Sequence, residues 1–568
     1  MIGTLCHPLA ARSADAPSPP PAADAAAAPA PAPASTLAPP PTSAPATPAN
    51  GATPTAAPKP FPILEYQVEG NTLLSVPDVE RAVTPYLGEG KSIKDIEAAR
   101  AHLEQVYHDR GYKTVLVGIP VQQVMDGTVR LVVTEAKVGK LHIAGSRYHS
   151  LEGIRDKFAQ LNQDSVPNFD EVQKELGSAN RSADLRVTPI LKASDTPGRV
   201  DVELSVQDEL PLHAILEVNN RYSANTSHPR VTGELRYDNL FQSSQSASFQ
   251  YQIAPVQPSD AKIWSASYVI PTSGSLVWAL YAVHSDSNVA AVGNLDVVGN
   301  GNIYGVRLID SLPTTARDFY HSVTFGLDYK DFGQTVVLNG AAGSIESPVE
   351  YPLFSLQYSA TWLGAQSKSE WARVAAAGSR SNTTLDLGLN FLIRGLGTNW
   401  RQFANKRAYA GTSFITLHPG ISHEQVLPAQ WTLVGKLDGQ LASGALINNE
   451  QYAAGGAETV RGYTEAERLG DNGAHATLEL RTPQQLRKLR STPVEQSYVF
   501  LFADAAKLQT LQPLPGQEVT FTLASAGVGL RFKAAGLSVA LDGARILKDG
   551  SVTPEGRYRG LFQCIYTY

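Results

Sequence analysis

From Leu212 to the end of the chain, side-chain character changes at every second residue. Leu212, Ala214, Leu216 and Val218 share one parity, and His213, Glu217, Asn219 and Arg221 share the other. Ala247, Phe249, Tyr251 and Ile253 alternate with Ser248, Gln250 and Gln252, and Leu537, Val539 and Leu541 with Ser538, Ala540 and Asp542. Successive side chains of an extended strand point to opposite faces, so each segment has one apolar and one polar face. Such segments of about ten residues recur about 16 times, the even strand number of a single-chain bacterial membrane barrel. No apolar run reaches the roughly 18 residues of a membrane helix. A chain of this kind crosses a membrane only by closing its strands on themselves, so that every backbone group is paired. A soluble sandwich also alternates, but the span 210–568 is long for one sandwich and its polar faces carry many charges.

The rest of the chain falls into three parts. Ala16 to Pro60 is almost all Ala, Pro, Ser and Thr. It cannot bury a core, so residues 1–60 are expected to be a disordered segment and linker. Met1 to Arg12 is too short and polar for the apolar stretch of a signal peptide. If the chain is exported, its natural start is expected upstream of Met1; the alternative is that it is not exported.

Residues 61–137 carry a strand at Ile63 to Glu69, a helix after Pro77, and a second helix from Ser92, with Asp95 three residues on, to Gly111. Strands follow at Tyr112 to Ile119 and Thr128 to Glu135. Residues 138–209 repeat the order: a strand at Leu141 to Ala144, helices at Leu151 to Leu161 and Phe169 to Ala179, then strands at Arg186 to Lys192 and Arg199 to Val206. The fold class is a pair of small α+β domains followed by an all-β barrel over 210–568.

One stretch breaks the alternation. Gly455 to Gly473 reads GGAETVRGYTEAERLGDNG, a loop too long to be a plain connection in a strand-rich region. It lies between the eleventh and twelfth segments, within an expected loop 443–473. An odd-to-even connection lies on the side opposite both barrel ends, which makes this the sixth outer loop. Downstream, Tyr498, Phe500, Phe502 and Asp504 share one parity, and Val499, Leu501, Ala503 and Ala505 the other. The aliphatic set suits lipid, so Asp504 faces the lumen.

Val460-Arg461-Gly462-Tyr463 resembles the signature of the outer-membrane assembly-factor superfamily, and Phe500-Leu501-Phe502-Ala503-Asp504 resembles its F-x-D wall motif. The duplicated α+β units resemble POTRA domains, with VEGNTLLS, YHDRGY and DGTVRLVV similar to the first such domain of two-partner secretion transporters. Tyr237-Asp238-Asn239-Leu240-Phe241 is similar to the family's YDNLFG turn, with Gln242 in place of the glycine. Phe562, Tyr566 and Tyr568 resemble the C-terminal strand signal read by barrel-assembly machinery; an interfacial aromatic girdle gives the same pattern. The closest resemblance is to the ShlB/FhaC/HecB transporters (the TpsB group).

This resemblance implies a location in the bacterial outer membrane, with the POTRA domains in the periplasm. It implies a translocase that captures an unfolded partner exoprotein, haemolysin- or adhesin-like, and passes it outward through the barrel. Arg461 is expected to meet Asp504 with the loop folded back into the lumen. The implied partners are the exoprotein, outer-membrane lipid and, during biogenesis, the barrel-assembly machinery. A factor that inserts other barrels shares the loop motif, and a passive porin leaves the POTRA pair unexplained. Catalysis is not expected: no G-x-S-x-G or H-E-x-x-H string occurs, and His475 and Asp542 read as lumenal polar residues. No cofactor or metal is expected either, since Cys6 and Cys564 lie at opposite ends and no CxxC spacing occurs. A net charge of −6 argues against nucleic acid.

Overall fold

A computed structural model gives the structure of the chain. It describes residues 60–124, 126–180, 182, 184–272, 274–287, 300–314, 316, 318–333, 335–337, 344–346, 348–364 and 381–568. The expected linker, apart from Pro60, and Cys6 lie outside these residues.

The unit that ends at Glu209 holds two similar modules. The first comprises β1 (Phe61–Ile63), β2 (Glu65–Glu69), α1 (Val76–Val83), β3 (Gly88–Lys91), α2 (Ile93–Asp109), β4 (Val115–Gly118) and β5 (Thr128–Glu135). The second comprises β6 (Lys137–Ala144), α3 (Leu151–Arg155), α4 (Phe169–Ala179), β7 (Leu185–Ala193) and β8 (Arg199–Asp208). Each has a three-stranded sheet, ordered β2-β5-β4 and β6-β8-β7, with its first strand parallel to its last. α2 starts where the sequence signals it, with the Ser92 amide donating to the Asp95 carboxylate at 2.8 Å. Ile96, Ala99, Leu103 and Tyr107 lie at helical spacing and bury one face of α2 in the first core.

The repeat extends to single residues. Gly70 and Gly145 both have positive φ, +84° and +94°, and a Cβ on either would lie 2.4 or 2.3 Å from the carbonyl oxygen of Val133 or Val206. Two residues after each of those valines an acid accepts backbone N–H groups from the loop after the glycine. Glu135 takes Thr72 and Leu73 at 2.8 and 3.1 Å. Asp208 takes Tyr148 and His149 at 2.7 and 3.0 Å, and Arg147 as well.

Two details differ from the sequence expectations. The helix expected over 151–161 stops at Arg155, and a separate 3-10 turn spans Ala159–Leu161. The break turns Phe158 and Leu161 fully into the second core. In addition β1 and β3 form a small antiparallel pair; glycines at 88 and 90 hide β3 from a strand-propensity reading.

From Leu210 onward sixteen antiparallel strands close into a barrel. They are β9 (Leu212–Asn219), β10 (Arg230–Leu240), β11 (Gln245–Ile253), β12 (Lys262–Pro271), β13 (Leu276–Ser285), β14 (Gly301–Ser311), β15 (Phe319–Phe332) and β16 (Val349–Leu363). They continue as β17 (Ser381–Leu392), β18 (Phe414–Val426), β19 (Thr432–Ala442), β20 (Asn472–Arg481), β21 (Thr492–Gln509), β22 (Thr520–Ala534), β23 (Leu537–Ile546) and β24 (Tyr558–Thr567). A short helix, α5 (Trp400–Lys406), sits between β17 and β18. β24 closes the ring on β9, with Gln563 opposite Asn219 and Thr567 opposite Ile215. Burial follows the parity of the sequence. On β21 Phe500, Phe502, Asp504, Ala506 and Leu508 are buried, while Val499, Leu501, Ala503 and Ala505 face out. Phe241 and Gln242 form the tight turn after β10 with φ of +55° and +57°, so the position where the resemblance implies glycine does adopt the left-handed backbone that favours it.

Candidate functional site: a loop anchored inside the barrel

The connection between β19 and β20, residues 443–471, lies between the eleventh and twelfth barrel strands. Its wall is continuous without it, because β19 and β20 pair directly from Thr432↔Arg481 to Gln440↔Gly473. The loop is therefore an addition to the barrel and not part of its closure. Its side chains nevertheless sit in a core: Val460 and Tyr463 are fully buried against Leu508 of β21, Leu523 of β22 and Ile546 of β23.

Arg461 is held by charge and geometry together. Its Nε and Nη2 donate to Oδ2 and Oδ1 of Asp504, each at 2.7 Å, and its backbone N–H reaches Oδ2 at 3.1 Å. Nη1 donates to Glu479 on β20 at 2.7 Å. Its guanidinium carbon lies 3.7 Å from the ring centroid of Phe502. Phe502 and Phe500 lie over their cross-strand partners Gly527 and Gly529, where a Cβ would meet the ring tips at 2.6 and 2.2 Å. The F-x-F-x-D stretch thus supplies a carboxylate and an aromatic floor for one guanidinium, two interactions that favour Arg over Lys.

The remaining valences are filled. Thr477 donates to Asp504 Oδ1 at 2.9 Å and lies 3.0 Å from His475 Nε2. His475 Nδ1 sits 2.9 Å from Asp438, which also accepts from Tyr452 of the loop at 2.6 Å. Arg481 donates to Glu479 through Nε and Nη2 at 3.0 and 2.8 Å. Two arginines therefore balance Asp504 and Glu479. Arg461, Asp504 and Glu479 are 4, 3 and 9% exposed, which takes this cluster out of the weak, solvated class of ion pairs.

Further contacts tie the loop around the inner wall. Gly462 takes φ +98°, and a Cβ there would lie 3.0 Å from Ala544. Tyr463 donates to the carbonyl of Lys548 at 2.6 Å. Glu467 accepts from Thr553 of the last outer loop, through Oγ1 at 2.6 Å and N–H at 3.0 Å. Glu465 and Glu458 pair with Arg221 after β9, at 3.2 and 3.0 Å. Glu450 accepts from Lys330 on β15 and Tyr351 on β16. A polar cavity of about 340 Å3 borders the tip, lined by Arg221, Lys436, Arg461, Glu479, Arg531 and Asp542.

Of the residues singled out in sequence, Val460, Arg461, Gly462 and Tyr463 come together with Phe500, Phe502 and Asp504. Phe562, Tyr566 and Tyr568 lie apart, 40, 49 and 71% exposed on the outward face of the closing strand. Glu479 has a legible lumenal parity, but nothing in its sequence context points to Arg461. Glu450, Arg407 and Asp471 were also missed, because a single charged residue in a loop has no periodic signal, and nothing around Lys330 on β15 points to Glu450.

In the periplasmic-type modules the edge strands differ. On β4 the Val117 N–H donates to Glu104 at 3.0 Å, its carbonyl accepts from Arg100 at 3.3 Å, and His108 lies 3.0 Å from the carbonyl of Val115. Side chains of α2 therefore occupy the outer backbone groups of β4. On β7 the Asn180 side chain takes both the N–H and the C=O of Val187, at 2.7 and 3.1 Å. Antiparallel pairing turns alternate residues outward, so Pro189, Leu191 and Ala193 also face away from β8. Leu191 and Ala193 keep outward N–H groups; Pro189 has none.

A sixteen-stranded barrel preceded by two β-α-α-β-β modules, with an arginine-bearing loop folded into its lumen, defines the class of POTRA-barrel outer-membrane proteins. The ShlB-type POTRA domain model matches residues 61–136, and the model of the haemolysin secretion/activation proteins ShlB/FhaC/HecB matches residues 384–532. Similar relatives include the outer membrane transporter CdiB of Dickeya dadantii (strain 3937), 23% identical over 428 residues, or 74% of this chain and 72% of that protein. The heme/hemopexin transporter protein HuxB of Haemophilus influenzae (strain 86-028NP) is 21% identical over 438 residues, 73% of this chain and 71% of that one. Among solved structures, CdiB from Escherichia coli superposes with a TM-score of 0.63 at 16% identity over 92% of both chains. CdiB from Acinetobacter baumannii gives 0.56 at 14% identity, over 90% of this chain and 91% of that one. The chain thus carries a ShlB-type POTRA domain and a ShlB/FhaC/HecB domain, as two-partner secretion transporters do, and it is an outer-membrane protein with periplasmic POTRA domains.

Proposed function

We propose that this transporter binds its exoprotein partner in extended form on the POTRA modules and passes it outward through the barrel once loop 443–471 moves. The observation that carries this reading is the loop itself. A barrel whose wall closes without the loop, yet whose lumen holds it by a buried charge cluster, has a removable obstruction. Strand addition suits an unfolded client, since backbone hydrogen bonds make little demand on its side chains. The stretch Pro189 to Ala193 of β7 supports it best, with backbone groups turned outward and Ile190 and Leu191 each over 40% exposed. β4, with its outer groups already taken by α2, is the poorer edge. Lipid on the outer face and the barrel-assembly machinery acting on the C-terminal strand complete the partners of this reading.

The test is secretion of the partner exoprotein with wild-type and Arg461→Ala transporter at matched outer-membrane levels. Removing Arg461 takes two side-chain hydrogen bonds from the buried Asp504, leaving the one from Thr477, and removes the link to Glu479. Secretion is expected to fall strongly while the folded barrel is inserted in near-normal amount. Normal secretion by the variant would sink the role given to Arg461. A general fall in other barrel proteins, when the whole transporter is deleted, would point instead to an assembly factor.

A further inference from the structure

The outer half of the lumen holds a second obstruction that the arginine motif does not account for. α5, the segment that follows it and the first leg of loop 443–471 bury Phe403, Ala410, Leu446 and Ile447 against inward-facing residues of the wall, among them Phe332 and Tyr351. The Phe403 and Tyr351 rings are 5.4 Å apart. These wall residues stand at the outer ends of β15 and β16. A barrel lumen is ordinarily polar, so an apolar cluster at one end is a small core with its own closing element.

Its rim is fixed by one ion pair. Arg407, one residue past α5, donates Nη2 to Asp471 Oδ2 at 2.7 Å and Nη1 to Asp471 Oδ1. Asp471, at the return of the loop into β20, has a fully buried side chain. Each partner then takes one half of two backbone sites. Arg407 donates to the carbonyls of Leu446 and Leu511, and Asp471 accepts the N–H groups of the same two residues, at 2.8 and 2.6 Å. The pair thus behaves as a clamp with two jaws. One closes on the outgoing leg of loop 443–471 and the other on the loop between β21 and β22, while the arginine end is carried by α5.

We infer that Arg407 and Asp471 form a second latch, which holds α5 and loop 443–471 together as one two-piece plug, so that opening the pore requires this pair to separate as well as Arg461 from Asp504. Arg407 is a positioning residue: it acts by fixing three loops. The inference rests on the reading that the loop moves during transport. Bidentate pairing of a fork with a carboxylate gives the clamp its geometry, and the shared backbone acceptors and donors couple its two jaws.

The experiment is single-channel conductance of the purified full-length transporter in planar bilayers, for wild type, Arg407→Ala, Asp471→Asn and the double variant. The exposed Arg401→Ala on α5 serves as control. Heat-modifiable gel mobility restricts the comparison to folded barrels. Arg407→Ala and Asp471→Asn are each expected to raise open time several-fold. The double variant should add little to either, as members of one unit behave. Arg401→Ala should leave conductance as in wild type, and Arg407→Lys should recover only part of the closure, since an ammonium cannot serve both jaws. Wild-type conductance in folded Arg407→Ala, or effects of the two single variants that simply add, would overturn the latch. Conductance needs no client, so raised conductance with unchanged secretion would leave the latch standing and count against the proposed transport role of the loop.

Discussion

Asp208 keeps its charge where water does not reach its side chain. Burial by itself raises a carboxyl group's pKa, but the N–H groups of Tyr148, Arg147 and His149 and the Ser146 hydroxyl outweigh it and hold the group below the usual carboxylate range. Its stabilising contribution is therefore complete above the unfolded value of about 3.9 and is lost as pH falls through the lower folded value. Asp208→Asn is expected to lower the urea midpoint of the second POTRA module at neutral pH, and the gap to wild type should narrow at a pH below the unfolded value. A gap of equal size at both values would show that the side chain matters for its shape and not for its charge. The lumenal Arg461 follows a related rule without a titration. Its cluster is balanced, two arginines against two carboxylates, and removing one member of such a buried set costs about 3–5 kcal/mol because a charge is left uncompensated. That magnitude is large for the loop and small beside a barrel with sixteen paired strands, so the effect belongs to loop placement.

At the scale of elements, α4 shows how one residue joins two modules. Asn168 caps α4 by accepting from the N–H of Asp170 at 3.0 Å, and its amide donates to the carbonyl of Arg110 at 2.9 Å. Gly111, with φ +91°, leaves the space that this side chain fills; a Cβ there would lie 2.4 Å from Asn168 Oδ1. Asn168→Ala is expected to cost about 1 kcal/mol from the cap, and more through the lost contact with the first module. Chemical denaturation followed by near-ultraviolet circular dichroism measures it, and no loss of stability would contradict the cap. The helix α2 was legible in sequence because a capping residue, Ser92, stands before a 3.6-residue apolar period. The break after Arg155 was not, because Phe158 and Leu161 fit a continuing helix as well as the turn that buries them. α5 escaped the same reading: seven residues inside a loop carry too short a pattern, and its buried contact, Phe403, depends on wall residues far away in sequence.

For the whole molecule, alternation made the barrel readable because lipid and lumen select opposite chemistry at every second residue. It also set Asp504 on the inner parity, since Val499, Leu501 and Ala503 suit lipid. The same rule is blind to what fills the lumen. Lys330 and Glu450 meet across 120 positions, and no local pattern encodes that meeting. The structure separates the two tasks physically. β19 and β20 pair along their length beneath the loop, so the ladder that closes the barrel does not pass through residues 457–466. Replacing that tip with a short Gly-Ser link should therefore leave a folded, heat-modifiable barrel, because the backbone bonds of all sixteen strands are retained and every backbone group in the membrane stays paired. It removes Arg461 from Asp504, Tyr463 from its buried seat and Glu465 from Arg221, three anchors on different parts of the wall. Ion conductance is expected to rise, and more than in Arg461→Ala, which loses one anchor only. Gel mobility and bilayer conductance measured on the same preparation decide the matter. A variant that fails to fold would show that the loop tip is part of the barrel's core, whereas a folded barrel with unchanged conductance would show that the tip does not obstruct the lumen.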